Sequence, residues 1–365
     1  MYKTALKVIK IINDNGFLAY IVGGYPRDLY LNRSSIDIDI CTNATPKDLK
    51  NIFKNSVLSK REYGGITIVC NNIRFEITTF RKEIKYENNR FPVKIEYIND
   101  LIEDLKRRDF TINTLCMDKD GKVLDLLNIK KDIDNKIIKT VGNTENKIKE
   151  DILRSLRAIR FATILNFKLD DELKQMIKKY NYLLKNLSYY RKKEELDKIF
   201  SSVNCKYGLE LIKQLDLVDA LQFSNFDNLV ITSCSIGIWA QLNVLDIYEF
   251  NKQEKELIKK INLVLKENIL DNKTLYKYGL YVCTIAGEIK GIDRTDIVKK
   301  YNELPIYNKK DIDIKANEIC DILNKKPDLF LKSIYEDLEN KILNNELGNK
   351  KEILIKYIEK SYLKT

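Results

Sequence analysis

Apolar residues at positions 5, 6, 8, 9 and 12 recur on one helical face, and Asn15-Gly16 interrupts them, so a short amphipathic helix is predicted over 5–12. Residues 17–22 form an apolar run that ends in Gly23-Gly24, which reads as a strand entering a turn. From 34 to 41 the pattern becomes strict alternation, Ser-Ser-Ile-Asp-Ile-Asp-Ile-Cys, and predicts a strand with Asp37 and Asp39 on one face. Thr45-Pro46 opens a helix to about residue 55. Residues 66–70 and 73–79 read as strands joined by a turn at Asn71-Asn72, and 81–94 as a polar, irregular loop. From about 143 strand signals cease. Helical patterns follow at 145–167, 170–185, 191–203 and 205–215, and the uncharged stretch 228–245 reads as a buried helix. No repeat period or low-complexity tract is evident. The expected fold is α+β: a head with a small mixed sheet over 1–142, a helical neck over 143–204, and an all-α body and tail over 205–365.

Composition narrows the chemistry. The 365 residues are 44% apolar, enough for more than one core. Lys and Arg number 64 against 53 Asp and Glu, and the excess of +11 is spread along the chain rather than gathered in a tail. Such a balance fits a polyanionic partner, nucleic acid foremost, and equally serves solubility. Histidine is absent, which excludes every mechanism built on a His base, nucleophile or ligand. Metal and proton chemistry then fall to Asp and Glu, whose hard oxygens suit Mg²⁺. The seven cysteines are never closer than 29 residues, form no zinc or CxxC motif, and read as reduced thiols of a cytoplasmic protein. The N-terminus lacks the apolar core of a signal peptide, and no membrane span is expected.

Three constellations carry chemistry. In the first, a strand turns through Gly23-Gly24 into Tyr25-Pro26-Arg27-Asp28, and Asp37-Ile38-Asp39 follows. Glycines there let backbone N–H groups approach a triphosphate, and Arg27 can grip phosphate oxygens. Two carboxylates converging on one strand face repel unless a divalent cation lies between them, the arrangement of metal-assisted nucleotidyl transfer. Glu76 on a neighbouring strand is a possible third carboxylate, or an exposed strand residue. The second constellation is Lys106-Arg107-Arg108-Asp109-Phe110-Thr111-Ile112-Asn113, read as phosphate-binding arginines steadied by a local ion pair, with Asn113 placed to donate to a sugar or base. The third is Glu150-Asp151 followed by Arg154, Arg157 and Arg160. On one continuous helix these present an acid and three arginines on the polar side, able to meet a base edge and phosphates, or to pair among themselves.

In order and spacing these blocks resemble the class II tRNA nucleotidyltransferases and bacterial poly(A) polymerases, whose pattern runs roughly GGxVRD, DxD, TTFR, RRDFTIN and EDxxRxxRxxRF. A further stretch, Ser188 to Leu196, is similar to the family's SxERIxxEL block. The resemblance covers about residues 17–200. It implies a nucleotidyltransferase head and template-independent addition of CMP, CMP and AMP to the 3′ end of tRNA, from CTP and ATP with release of pyrophosphate. An A-only or CC-only enzyme, a poly(A) polymerase and a catalytically inactive RNA-binding relative share the blocks. By the same resemblance Asp37 and Asp39 match the Mg²⁺ carboxylates. Gly24, Arg27, Arg108 and Asn113 fall in the nucleotide-contacting motifs. Asp151 and Arg154 match the pair that reads C or A, Arg157 and Arg160 match further nucleotide contacts, and 81–92 matches the loop associated with switching from C to A. The chain departs from the pattern at Pro26 for Val, Phe91 for His, Asn128-Ile129 where a Gly is expected, Tyr190 for Glu and Lys192 for Ile.

Overall fold

A computed structural model describes residues 1–35, 37–54, 56–58, 65–87 and 91–363. It divides into two units, 1–222 and 223–365. The predicted head and neck both lie within the first.

The first unit begins with α1 (Tyr2–Asp14), β1 (Ala19–Val22), α2 (Gly24–Tyr30), β2 (Asp39–Thr42), α3 (Pro46–Ile52), β3 (Val57–Leu58), β4 (Gly65–Cys70) and β5 (Ile73–Thr79). The hairpin β6 (Arg81–Glu87) and β7 (Phe91–Tyr97) follows, then α4 (Leu101–Lys106), β8 (Cys116–Met117), β9 (Val123–Leu124), α5 (Lys130–Asp134) and β10 (Ile137–Ile138). A seven-stranded sheet runs β3-β4-β5-β2-β1-β8-β9. It is mixed: β2 and β5 are parallel, and the other pairs antiparallel.

Alternation along the strands sorts side chains between two cores. Ile21, Ile40, Phe75 and Ile77 pack with Ala5, Val8, Ile9 and Ile12 of α1. Val22 and Cys41 face the other way, onto Leu101 and Leu105 of α4. Asp39 has the parity of Cys41, so it belongs to the α4 side. Asn71 and Asn72 both take positive φ (51° and 61°), as a type I′ hairpin turn requires.

The neck comprises α6 (Thr144–Glu150), α7 (Leu153–Leu165), β11 (Lys168–Leu169), α8 (Asp171–Tyr180) and α9 (Tyr189–Phe200), with a 3₁₀ turn at Asn181–Asn186, and α10 (Cys205–Gln214) follows it. In the second unit α11 (Ser235–Gln241), α12 (Lys252–Val264), α13 (Asn272–Lys290) and α14 (Arg294–Asn302) precede α15 (Ala316–Leu323), α16 (Phe330–Leu343) and α17 (Lys351–Tyr362). Ile319, Leu338 and Leu354 anchor the core of the last three helices. No described helix is long and apolar enough to cross a membrane.

Five expectations change. The strand expected over 34–41 is ordered as β2 only from Asp39, because only Asp39–Thr42 find partners on β1; Ile36 lies outside the described residues. The polar loop expected over 81–94 is the antiparallel hairpin β6–β7, with residues 88–90 outside the described set. Its largely buried positions include Arg81 and Glu83, an ion pair, so apolar alternation is lacking there. The single helix expected over 145–167 breaks at Asp151, whose backbone is extended (φ −146°, ψ 101°) and whose carboxylate caps the backbone N–H of Leu153 at 3.0 Å. Beyond 143 the described residues include one strand: β11 pairs in parallel with β10, two residues each, too short for periodicity to register. Of the stretch 228–245 only Ser235–Gln241 is helical.

Candidate active site

The site grows from the end of β1. Val22 pairs with Asp39 across the antiparallel ladder, and Asp39 pairs with Glu76 across the parallel one, so one sheet end sets Asp39 between the glycine turn and Glu76. Gly23 adopts φ 79°, ψ −131°, a conformation reserved for glycine. A Cβ there would stand 3.1 Å from Asp39 Oδ2, so the turn presses against that carboxylate. Asp37 and Asp39 are both exposed and flank Ile38, which is buried. Glu76 is exposed as well. Among the described residues no three acidic or thiol side chains are gathered tightly enough to hold a metal by themselves. The donor set nevertheless fits a hard divalent cation, which commonly takes one or two carboxylates and completes its shell with phosphate oxygens and water.

Cations surround this sheet end. Arg108 lies close enough to Asp39 for its charge to act on it, and donates from Nη2 to Asp104 Oδ2 at 3.2 Å. Arg107 donates to Asp104 Oδ1 at 2.7 Å. The local ion pair expected between these arginines and the adjacent Asp109 is therefore replaced by one to Asp104. Asp104 stands three and four positions back on the helix, where side chains meet, whereas sequence neighbours diverge.

Asp109 turns instead to the neck. Its Oδ2 accepts from Nε of Arg157 at 2.8 Å and also from Nη2, and its Oδ1 accepts from Asn113 Nδ2 at 3.2 Å. Burial would raise its pKa, yet Arg157 and these hydrogen bonds prevail and hold it well below the usual carboxylate range. Asn113, expected to donate to a sugar or base, spends its amide within the protein, since its Oδ1 also accepts from Arg27 Nη1 at 2.7 Å. Arg27 is buried and gives Nε and Nη2 to Asp28 at 2.9 and 2.8 Å. The ring of Phe161 collects three guanidiniums, Arg27 at 5.5 Å, Arg157 at 5.6 Å and Arg160 at 4.3 Å, and meets Phe110 edge-on at 5.7 Å. Arg160 pairs with Glu195 of α9 at 2.7 Å. Head and neck motifs far apart in sequence thus form one charged lattice.

Arg154 is buried, and its Nη1 donates to Glu150 at 2.8 Å and to the carbonyl of Lys147 at 2.7 Å. Lys147 in turn holds the carbonyls of Lys106 and Arg107, and burial together with the charge of Arg154 brings its pKa down to about 8. Asp151 is the hinge between α6 and α7, one turn before Arg154. Asp104, Phe161, Glu195 and Lys147 were not among the expected site residues.

Comparison with known proteins bears on this lattice. Residues 19–139 match the model described as "Poly A polymerase head domain", residues 166–224 the one described as "Probable RNA and SrmB- binding site of polymerase A", and residues 230–358 that of a second tRNA nucleotidyltransferase domain. The CCA-adding enzyme of Ligilactobacillus salivarius is 33% identical over 98% of this chain and 96% of its own. The chain belongs to the CCA-adding enzyme family. The Bacillus subtilis CCA-adding enzyme is 34% identical over 99% of this chain and 97% of its own. Among solved structures, the Bacillus stearothermophilus CCA-adding enzyme in complex with CTP is similar with a TM-score of 0.81 and 25% identity, covering 98% of this chain and 97% of that one. As in CCA-adding enzymes generally, a divalent metal ion belongs to the chemistry.

Proposed function

We infer that this chain adds CMP, CMP and AMP to the 3′ end of tRNA, using CTP and ATP, without a template strand. Family membership along nearly its whole length carries this reading, and the sheet end at Gly23, Asp39 and Glu76 agrees with it. The terminal 3′-hydroxyl of the tRNA attacks the α-phosphorus of the nucleotide; the new P–O bond forms as the bond to pyrophosphate breaks.

Asp37 and Asp39 hold the divalent cation, Mg²⁺ in our reading, with Glu76 as the candidate third carboxylate. When bound, the cation offsets the charge of the triphosphate and the leaving group. The chain's own residues do the rest. Gly23 keeps a side chain out of the space beside Asp39, and Gly24 out of the space beside Arg27 and Asp28, so that phosphate can approach the backbone. Arg108 supplies positive charge to the nucleotide from beneath, fixed by Asp104. Arg27, locked to Asp28 and Asn113, sets the wall between the glycine turn and the neck. We assign Asp151 and Arg154 the choice between C and A; the cap at Asp151 and the two anchors of Arg154 supply the rigidity such a choice demands. Arg157 and Arg160 extend the cationic surface. Residues 143–204 serve as the nucleotide-selecting neck and 205–365 as the tRNA-binding body and tail, holding the acceptor stem through backbone contacts. A cytoplasmic location fits seven cysteines that are all unpaired.

Replacing Asp37→Ala or Asp39→Ala abolishes incorporation of both nucleotides while tRNA still binds. Incorporation by either variant at a rate within about tenfold of the unmodified enzyme would overturn the metal assignment.

A further inference from the structure

Asp104 is completely buried, and a carboxylate in that position is tolerated only when its oxygens are fully engaged. They are engaged in two directions. Oδ1 accepts from the backbone N–H of Arg81 at 3.2 Å and from Arg107 Nε at 2.7 Å; Oδ2 accepts from Arg108 Nη2 at 3.2 Å. Arg81 is the first residue of the β6–β7 hairpin. Arg108 is the guanidinium beside Asp39, and its buried Nε has no hydrogen-bond partner. A second carboxylate reinforces the first: Glu83 Oε1 accepts from Arg81 Nε at 3.1 Å and Nη2 at 2.9 Å, and stands 3.5 Å from Arg107 Nη1. Glu83 is itself largely buried.

The consequence is mechanical. A single carboxylate fixes the base of the hairpin and the side chain of Arg108, so the two cannot move independently without breaking one of the hydrogen bonds that Asp104 accepts. Glu83 ties the same hairpin strand to the neighbouring Arg107 without touching Arg108. We propose that Asp104 is a positioning residue that couples the hairpin to Arg108, with Glu83 as its second strut. The hairpin's position thereby sets how Arg108 meets the nucleotide. The proposal rests on the assignment of Arg108 as a nucleotide contact.

Asp104→Asn keeps the shape but removes the charge, and Glu83→Gln does the same at the strut. Dissociation constants for CTP and ATP are measured without tRNA, alongside tRNA affinity, the melting temperature, and KM and kcat for each nucleotide. Loss of one buried charge-assisted contact weakens binding of both nucleotides by about tenfold or more in Asp104→Asn and raises KM more than it lowers kcat, with tRNA affinity within about twofold. Glu83→Gln shifts the same constants by less. The double variant matches Asp104→Asn alone, because both act through one network. Unchanged nucleotide affinity in folded Asp104→Asn, or in Glu83→Gln should Asp104→Asn not fold, would overturn the coupling, as would strictly additive effects. Failure of the unmodified enzyme to extend tRNA would instead count against the proposed function, and the binding constants would still decide the coupling.

Discussion

At Gly23 one missing methyl group connects backbone strain to the Asp39 carboxylate. Its φ of 79° with ψ of −131° costs any other residue about 1–3 kcal/mol, and an added Cβ would meet Asp39 Oδ2 at 3.1 Å. Gly23→Ala therefore lowers stability by about that amount and, at temperatures where the variant remains folded, loses nucleotide incorporation disproportionately. Rates per folded molecule, set against a melting curve, check this; an unimpaired rate would mean that the turn does not position Asp39. The place of Asp39 beside the glycine turn was legible in the sequence, because period-two alternation and a glycine pair leave a local signature; the strand expected to carry Asp37 as well begins only at Asp39. Asp104 was not legible. Adjacency pointed to Asp109 as the partner of the arginines, whereas the helix delivers the carboxylate from three and four residues back, and Asp109 is claimed by Arg157 from 48 positions away. Asn128, in the Asn128-Ile129 pair where a Gly is expected, takes φ 56°, a left-handed conformation that asparagine tolerates. That departure leaves the backbone geometry available.

Elements impose their own constraints, and α9 shows one. Lys192, where the resemblance expects Ile, is only 1% exposed and has its ammonium 4.3 Å from the ring centre of Tyr189. Burial pulls its pKa down to about 8. The unfolded chain holds that proton to a pKa of 10.5, so the cost of the buried charge is fully present below pH 8 and fades as pH rises toward 10.5. Lys192→Met accordingly stabilises the protein at pH 7 by roughly 1–3 kcal/mol and flattens the rise in stability between pH 8 and 10. Urea unfolding of both proteins across that range gives the comparison; parallel curves would show that the ammonium is solvated in the native state. Helices with one apolar face, such as α1 and α9, were legible because 3.6-residue spacing survives in sequence. The break at Asp151 was not, since a capping carboxylate inside a helical pattern looks like one more polar position until its hydrogen bond to Leu153 is seen. The hairpin β6–β7 escaped notice because its strands pair with each other and its largely buried positions include the charged residues Arg81 and Glu83, which read as polar loop.

On the scale of the whole molecule, a head carrying carboxylates and a glycine turn is joined within one unit to a neck carrying arginines, and a helical unit follows. The sequence conveyed this order through loss of strand signals after about residue 143 and through a charge excess of +11 without any basic tail. It did not convey that the arginines of the neck would be paired with acids of the head, as Arg157 is with Asp109, since such pairs depend on tertiary approach. That pairing makes the site a rigid wall rather than a loose basic surface, which suits an enzyme that must choose between two nucleotides without a template. The most direct test of that claim supplies the purified protein and Mg²⁺ with tRNAs lacking the CCA end, ending in CC, or already ending in CCA, each with CTP, ATP or both, and sequences the 3′ ends. Every tRNA given both nucleotides is expected to finish at CCA and go no further. With both nucleotides present, a tRNA lacking the CCA end that stops at CC or gains only an A, or any tRNA that grows a long A tail, would contradict that claim.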